Sequence, residues 1–132
     1  MSKPTDVILA LIREWAENTK FDRKDAILQN HAEDAVIFDV LPPLKYPDTA
    51  AYRNTWDDWI PETIGPAIFD LHELEISASE NMAFAHALVH CGGIKPDGRN
   101  FEDWVRTTLC LQRRQGTWQI VHQHTSMPIF PT

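Results

Sequence analysis

Apolar residues at Val7, Ile8, Leu11, Ile12 and Trp15 recur at three- and four-residue intervals, so a helix starting near Thr5 has one apolar face while Arg13, Glu14 and Glu17 face water. Asn18-Thr19-Lys20 interrupts that stripe. Asp22 then offers an N-cap oxygen, with Asp25 three residues on and Phe21 placed to staple the entry, which predicts a short second helix to about His31. Ala35 to Asp39 (AVIFD) is a β-branched and aromatic run that ends at Pro42-Pro43, a pair that continues neither a helix nor a central strand. Asp48 can cap a third helix, with Tyr52, Trp56, Trp59 and Ile60 on one stripe before Pro61 stops it.

After Gly65-Pro66 the texture changes. Ile68 to Ser77, Met82 to Cys91, Phe101 to Leu111 and Trp118 to Ser126 are strand-like, separated by Ser79-Glu80-Asn81, by Gly92-Gly93 through Pro96-Asp97-Gly98, and by Gln115-Gly116. Consecutive strands with short turns predict an antiparallel meander. Helices first and strands later, with one strand between them, make the fold α+β rather than alternating βαβ. Helices 1 and 3 have the apolar stripes to cover a curled sheet, and a helix laid across such a sheet leaves a cavity at its open end.

The chain has 132 residues, the length of one domain, so residues 1–132 are read as a single unit with one core. An apolar content of 43% excludes disorder as the main state. A formal charge of -7 repels phosphate backbones and anionic headgroups, so no nucleic-acid partner and no membrane surface are expected. The longest apolar run, Val7 to Ile12, is far shorter than the roughly 20 residues that span a bilayer. Cys91 and Cys110 have no CxxC neighbour and make no disulfide framework, which reads as two reduced thiols in a cytoplasmic protein. Dinucleotide, P-loop, nucleophile-elbow and HExxH motifs are absent from the sequence.

Three strings in this order carry a resemblance. His31-Ala-Glu-Asp-Ala-Val-Ile-Phe-Asp39 resembles the ketosteroid isomerase stretch of the form aromatic-Ala-Asp-Asp-Ala-x-Val-x-Asp. Asp48-Thr-Ala-Ala-Tyr-Arg53 resembles that family's Gly-Thr-Ala-Ala-Ile-Arg at the third helix. Arg106-x-Thr108 followed by Gly116-Thr-Trp118-Gln-Ile-Val-His122-Gln-His124-Thr-Ser126-Met-Pro128 is more similar to the SnoaL-like branch. Together they make the chain resemble the NTF2-like superfamily, which implies a cystatin-like cone of three N-terminal helices packed on a curved antiparallel sheet. The fold hosts isomerases, cyclases, dehydratases and non-catalytic binding domains.

The resemblance implies that Asp39 is a general base, as the isomerases have an aspartate at this position. Their oxyanion-hole tyrosine corresponds to Trp15 and their protonated aspartate falls near Thr108, so neither donor is retained in kind. It also implies which strand faces line the pocket: Trp104, Arg106, Thr108 and Cys110; His86, Leu88 and His90; and His122, His124 and Ser126. Alternation places each set on one face but cannot choose that face. With Trp15, Trp56 and Trp59 as aromatic walls, the pocket would hold an apolar, enolisable or carboxylate-bearing small molecule. Asp39 with His124 or His122 would transfer protons, and Arg106 would hold an anion. Such an enzyme would be a cofactor-free isomerase, cyclase or dehydratase.

Bland readings stand beside these. Asp39 can bond local backbone at the turn. Arg106 can pair with Asp39, Glu102 or Asp103. The histidines can be partly buried structural side chains, and the tryptophans can be core. His86, His90, His122 and His124 are imidazoles that could bind zinc or iron, but their spacings match no specific motif, so no metal is expected. The alternative function is a ligand-binding or association domain without catalysis. A homodimer is expected in either case, because Val105, Leu109, Leu111 and Val121 are assigned to the outer sheet face.

Overall fold

Pro4 opens the first helix, where its missing N–H would have had no intrahelical partner anyway, and Lys3 precedes it in extended conformation. The computed structural model describes residues 3–59 and 62–129, with the side chains of positions 58 and 59 outside the description. Helix α1 (Pro4–Lys20) buries Ile8, Leu11, Ile12, Trp15 and Ala16, the stripe expected from the sequence.

The second helix differs from expectation. Helix α2 (Lys24–Ile27) has four residues and no side-chain cap. Asp22 sits at φ 54, a turn conformation, and Phe21 is exposed, so neither cap nor staple forms. Asn18 holds the corner instead. Its carbonyl accepts from the Arg23 backbone at 2.9 Å, its Oδ1 accepts from the Arg23 guanidinium at 3.2 Å, and its Nδ2 donates to the Ala26 carbonyl at 3.4 Å. The early end of α2 lets strand β1 (His31–Phe38) begin before Ala35.

Asp48 caps helix α3 (Thr49–Asn54) by accepting from the Ala51 N–H at 2.8 Å. The Thr55 hydroxyl donates to the Tyr52 carbonyl at 2.8 Å, competing with the helical ladder, and the expected third helix resumes as α4 (Trp56–Trp59). Ile60 and Pro61 lie outside the described residues.

Strands β2 (Ile68–Ala78), β3 (Met82–Ile94), β4 (Asn100–Arg114) and β5 (Thr117–Ser126) form the antiparallel meander. The sheet order is β1-β5-β4-β3-β2, and β1 pairs with β5 in parallel, a pairing the sequence reading did not contain. Near the hairpin turn that joins β3 to β4, a Cβ on Gly92 would stand 2.1 Å from the Phe101 carbonyl oxygen, so only glycine permits this approach.

Helix α1 packs on Ala83, Ala85, Leu109, Leu111, Trp118 and Ile120. Small alanines on β3 leave room for the helix, and larger residues on the neighbouring strands close round it. This defines the inner face of the sheet, and it reverses the expected assignment. Val105, Leu109 and Leu111 are buried inside, while Trp104, Arg106, Thr108 and Cys110 alternate to the outside. On β5 the parity changes partway. Leu111 lies opposite Ile120 and Cys110 opposite His122, so Val121 is an extra residue at a β-bulge and is half-buried. Trp118 and Ile120 point inward before the bulge, Gln123 and Thr125 after it.

Candidate functional site

A second core cluster of Ile37, Tyr46, Tyr52 and Trp56 forms between β1 and the third helix. Its rings meet edge to face, Tyr46 on Tyr52 at 5.0 Å and Tyr52 on Trp56 at 5.4 Å. Between this cluster and Trp15 of the main core lies a cavity of about 220 Å³, bounded also by Asp39, Phe69, Val105, Thr107 and Gln123. Pairing in parallel with β5 brings the end of β1 to this cavity. Ile37 lies opposite Gln123 and Phe38 opposite His124, so Asp39 emerges beside the inward-facing end of β5.

Asp39 has two hydrogen bonds. The Tyr52 hydroxyl donates to Oδ2 at 2.5 Å, and the Val40 N–H donates to Oδ1 at 2.7 Å. The Asp39 side chain therefore both faces the cavity and bonds the local backbone. Burial, then the Asp39 charge and hydrogen bond beside it, hold the Tyr52 phenol well above its ordinary pKa of 10, so it stays protonated. The Trp56 indole pulls weakly the other way, yet its Nε1 makes no hydrogen bond of proper geometry among the described residues.

Elsewhere the wall is mostly apolar. Thr107 and Thr125 hydroxyls bond each other at 3.1 Å. Burial first, and then the Asp103 and Asp39 charges, raise the Cys91 thiol pKa, which keeps it neutral and a poor nucleophile. Cys91 lies opposite Asp103 and Cys110 opposite Phe84 in the ladder, and both are free thiols.

Of the residues expected in the site, the structure brings Asp39, Trp15 and Trp56 to one cavity. The Trp59 side chain lies outside the described residues. The others are on the outer face. The Arg106 Nε donates to Ser126 Oγ at 3.1 Å there, and no carboxylate pairs with Arg106 among the described residues. His122 Nδ1 lies 2.6 Å from the Val36 carbonyl, and both His122 and His124 meet the Phe38 ring edge to face. His86 lies 3.5 Å from Glu75 and His90 lies 3.6 Å from Glu102. Trp104 is 51% exposed, with His90 stacked on it at 4.8 Å. Leu88 and Thr108 share this face. The histidines on β3 and β5 are separated by β4 and do not converge, and no metal-binding group of three or more His, Cys, Asp or Glu occurs among the described residues.

Two causes account for the reversal. On β5 the bulge at Val121 shifts the parity, which no residue pattern announces. On β3 and β4 a signal was present: Ala83, Ala85, Ala87 and Val89, and Val105, Thr107, Leu109 and Leu111, are the less polar alternating sets. That signal would have found Val105 and Thr107. Tyr52 was visible only as part of an apolar stripe, and Gln123 only as a residue between two histidines.

With fold and cavity defined, the chain can be placed. Residues 8–130 match the SnoaL-like domain family, and the chain belongs to that family. It is similar to an NTF2-like protein of unknown function from Pseudomonas putida, with 30% identity, a TM-score of 0.83, and coverage of 95% of this chain and 87% of that one. A candidate ketosteroid isomerase from Parabacteroides distasonis shares the fold at 17% identity and TM-score 0.72, covering 96% of this chain and 89% of that one. So does the association domain of C. elegans CaMKII, at 11% identity and TM-score 0.72, covering 93% and 95%. No curated protein matches the chain.

Proposed function

We propose that this SnoaL-like chain binds a one-ring, largely apolar carbonyl compound in the cavity and moves a proton at the carbon beside the carbonyl, with Asp39 as the proton acceptor. The observation that carries this reading is a carboxylate on the wall of an otherwise apolar cavity, held by the Tyr52 hydroxyl at 2.5 Å. Size limits the ligand. An apolar cavity of about 150 Å³ holds benzene, so 220 Å³ suits one substituted ring better than a fused system. Charge limits it further: Asp39 faces the cavity and Arg106 does not, so a neutral enolisable ligand is favoured over a carboxylate. Arg106, His122 and His124 have no part in this chemistry.

The test uses 2-cyclohexenone in deuterated buffer, following exchange of its acidic C–H positions by NMR. Exchange above the buffer rate that disappears in Asp39→Asn, with binding retained, supports the reading. Exchange unaffected by that substitution overturns it.

A second reading concerns assembly, and a specific observation favours it. Met82, Phe84, Leu88 and Trp104 expose 53%, 50%, 38% and 51% of their surface on the outer sheet face. We propose that a second copy of the chain covers this face as a homodimer, symmetric pairing being the commonest arrangement. The apolar set differs from the one expected, since Val105, Leu109 and Leu111 are already inside. Among the described residues no helix is long and apolar enough to cross a membrane, and the two free thiols support a proposed cytoplasmic setting.

A further inference from the structure

We infer that the Gln123 carboxamide is the group that holds the ligand's carbonyl oxygen, with its orientation set by the buried His31 on the neighbouring strand. This rests on the cavity reading above and names the oxygen-binding half of that site.

Gln123 is only 4% exposed, lies opposite Ile37 across the β1–β5 pair, and lines the cavity. Its Oε1 lies 2.8 Å from His31 Nε2. An amide oxygen can only accept, so Nε2 of His31 carries the proton. His31 is itself 7% exposed, and desolvation, against the weaker opposing hydrogen bond to Gln123, lowers its pKa and favours the neutral ring. Its Nδ1 is then a bare lone pair, and it has no partner among the described residues. With the oxygen end committed to His31, the amide NH2 is the end left for the cavity. It donates to nothing among the described residues.

Because Gln123 lines the cavity, its two N–H donors are open to an acceptor brought in by a ligand or by water. The Trp56 indole N–H on the opposite wall is a second unused donor, in a residue 2% exposed. Among the acceptors on the wall, Asp39 takes one bond on each oxygen, from Tyr52 and Val40, and keeps further lone pairs, while the Thr107 and Thr125 hydroxyls bond each other. The cavity therefore has surplus donors and one carboxylate. A ligand that matches it presents an oxygen acceptor to Gln123 and a C–H to Asp39. Asp39 lies two residues beyond Ile37, the partner of Gln123, and both side chains line the cavity, so one ligand can present its carbonyl oxygen to the amide and the adjacent carbon to the carboxylate. When Asp39 takes the proton, the electron pair of the C–H bond becomes the enolate double bond and charge moves to oxygen, where the amide donors meet it. Returning the proton to that carbon restores the ketone and completes the exchange with no other reactant.

The experiment uses 2-cyclohexenone carrying a ¹³C-labelled carbonyl and the full-length protein. In wild type, the bound carbonyl stretch is expected to move to lower wavenumber, and the Gln123 side-chain NH2 resonances to shift on titration. Gln123→Glu keeps an acceptor for His31 and removes the donors, so the stretch shift should vanish and affinity fall about tenfold. Gln123→Met checks the same loss without a buried charge. His31→Leu frees Oε1 and should shrink the stretch shift, which a merely structural histidine would not affect. If the probe binds and exchanges protons while the wild-type stretch and the Gln123 resonances stay unmoved, the donor assignment is overturned and the Asp39 reading stands. A shifted stretch with no exchange in wild type supports the donor and removes the proton step. Failure of the probe to enter the cavity overturns both.

Discussion

The Tyr52 hydroxyl donates to Asp39 Oδ2 at 2.5 Å, joining the third helix to the end of β1 at the cavity wall. The pairing depends on two features the chain supplies separately. Asp48 caps α3 and fixes its start, which puts Tyr52 on the inward stripe. The antiparallel bridge between Ile37 and Tyr46, with bonds of 3.0 and 2.9 Å, folds the intervening loop back on β1 and holds Tyr46 under Tyr52. A protonated phenol beside a carboxylate orients one of its oxygens and leaves the group able to accept a proton from a ligand.

Tyr52→Phe should therefore destabilise the protein by about 1.5–3 kcal/mol, the usual worth of a hydrogen bond to a charged group. Asp39→Asn should cost at least as much, because its amide keeps one acceptor and sets an NH2 donor against the other partner, Tyr52 or Val40. Urea unfolding of the two variants checks the order. Equal midpoints for wild type and Tyr52→Phe would show that the bond contributes nothing to the fold.

Much of this architecture was legible in the chain. Helix α1, the Asp48 cap and the four-strand meander follow from periodicity and turn chemistry, and Asp39 reached the cavity through a resemblance in its strand. The parallel β1–β5 pairing was not legible, since a pairing partner far along the sequence leaves no local pattern. Nor was the bulge at Val121: one inserted residue exchanges inside and outside for His122, Gln123 and His124 without altering composition or periodicity enough to register. Arg106 and Trp104 were misplaced for a different reason, as the apolar alternation of Val105, Leu109 and Leu111 already pointed to the opposite face.

Stability should decline on mild acidification because of His31. Its folded pKa lies below the unfolded value near 6.5, so between the two values the unfolded chain binds the proton and the folded one does not. The contribution of the neutral buried ring is complete above about 6.5 and is lost as pH falls below it, down to the folded pKa. The slope is at most about 1.4 kcal/mol per pH unit. Denaturation midpoints of wild type and His31→Gln from pH 7.5 to 5 should diverge in shape, with the variant flatter below 6.5. Parallel curves would rule out His31 as the titrating group.

Phe84→Glu should dissociate the homodimer. Phe84 lies opposite Cys110 on the outer face and is half exposed, so a carboxylate there is tolerated by the monomer but is buried against its symmetry mate. Sedimentation equilibrium should give about twice 15.2 kDa for wild type and the single-chain mass for the variant. A wild-type mass of one chain at every concentration would refute the covered-face proposal.

Val105→Phe tests whether ligand and cavity are the same thing. Val105 sits on the inner face of β4, is 8% exposed, and lines the cavity rather than the dense packing under α1. A ring added at this position extends into empty space, so it fills the cavity where elsewhere in the core it would force neighbours apart. Filling such a void commonly adds about 0.5–2 kcal/mol of stability, so the variant should melt at or above the wild-type temperature. The same ring occupies the volume a one-ring ligand needs, and 2-cyclohexenone affinity should fall by more than about tenfold, equivalent to 1.4 kcal/mol. The two readouts move in opposite directions only if the space is a true void in the free protein and the binding site in the complex. A variant that melts normally and still binds the probe would place the ligand outside this cavity. It would direct attention to the groove on the outer face beside Glu75, His86 and Arg106.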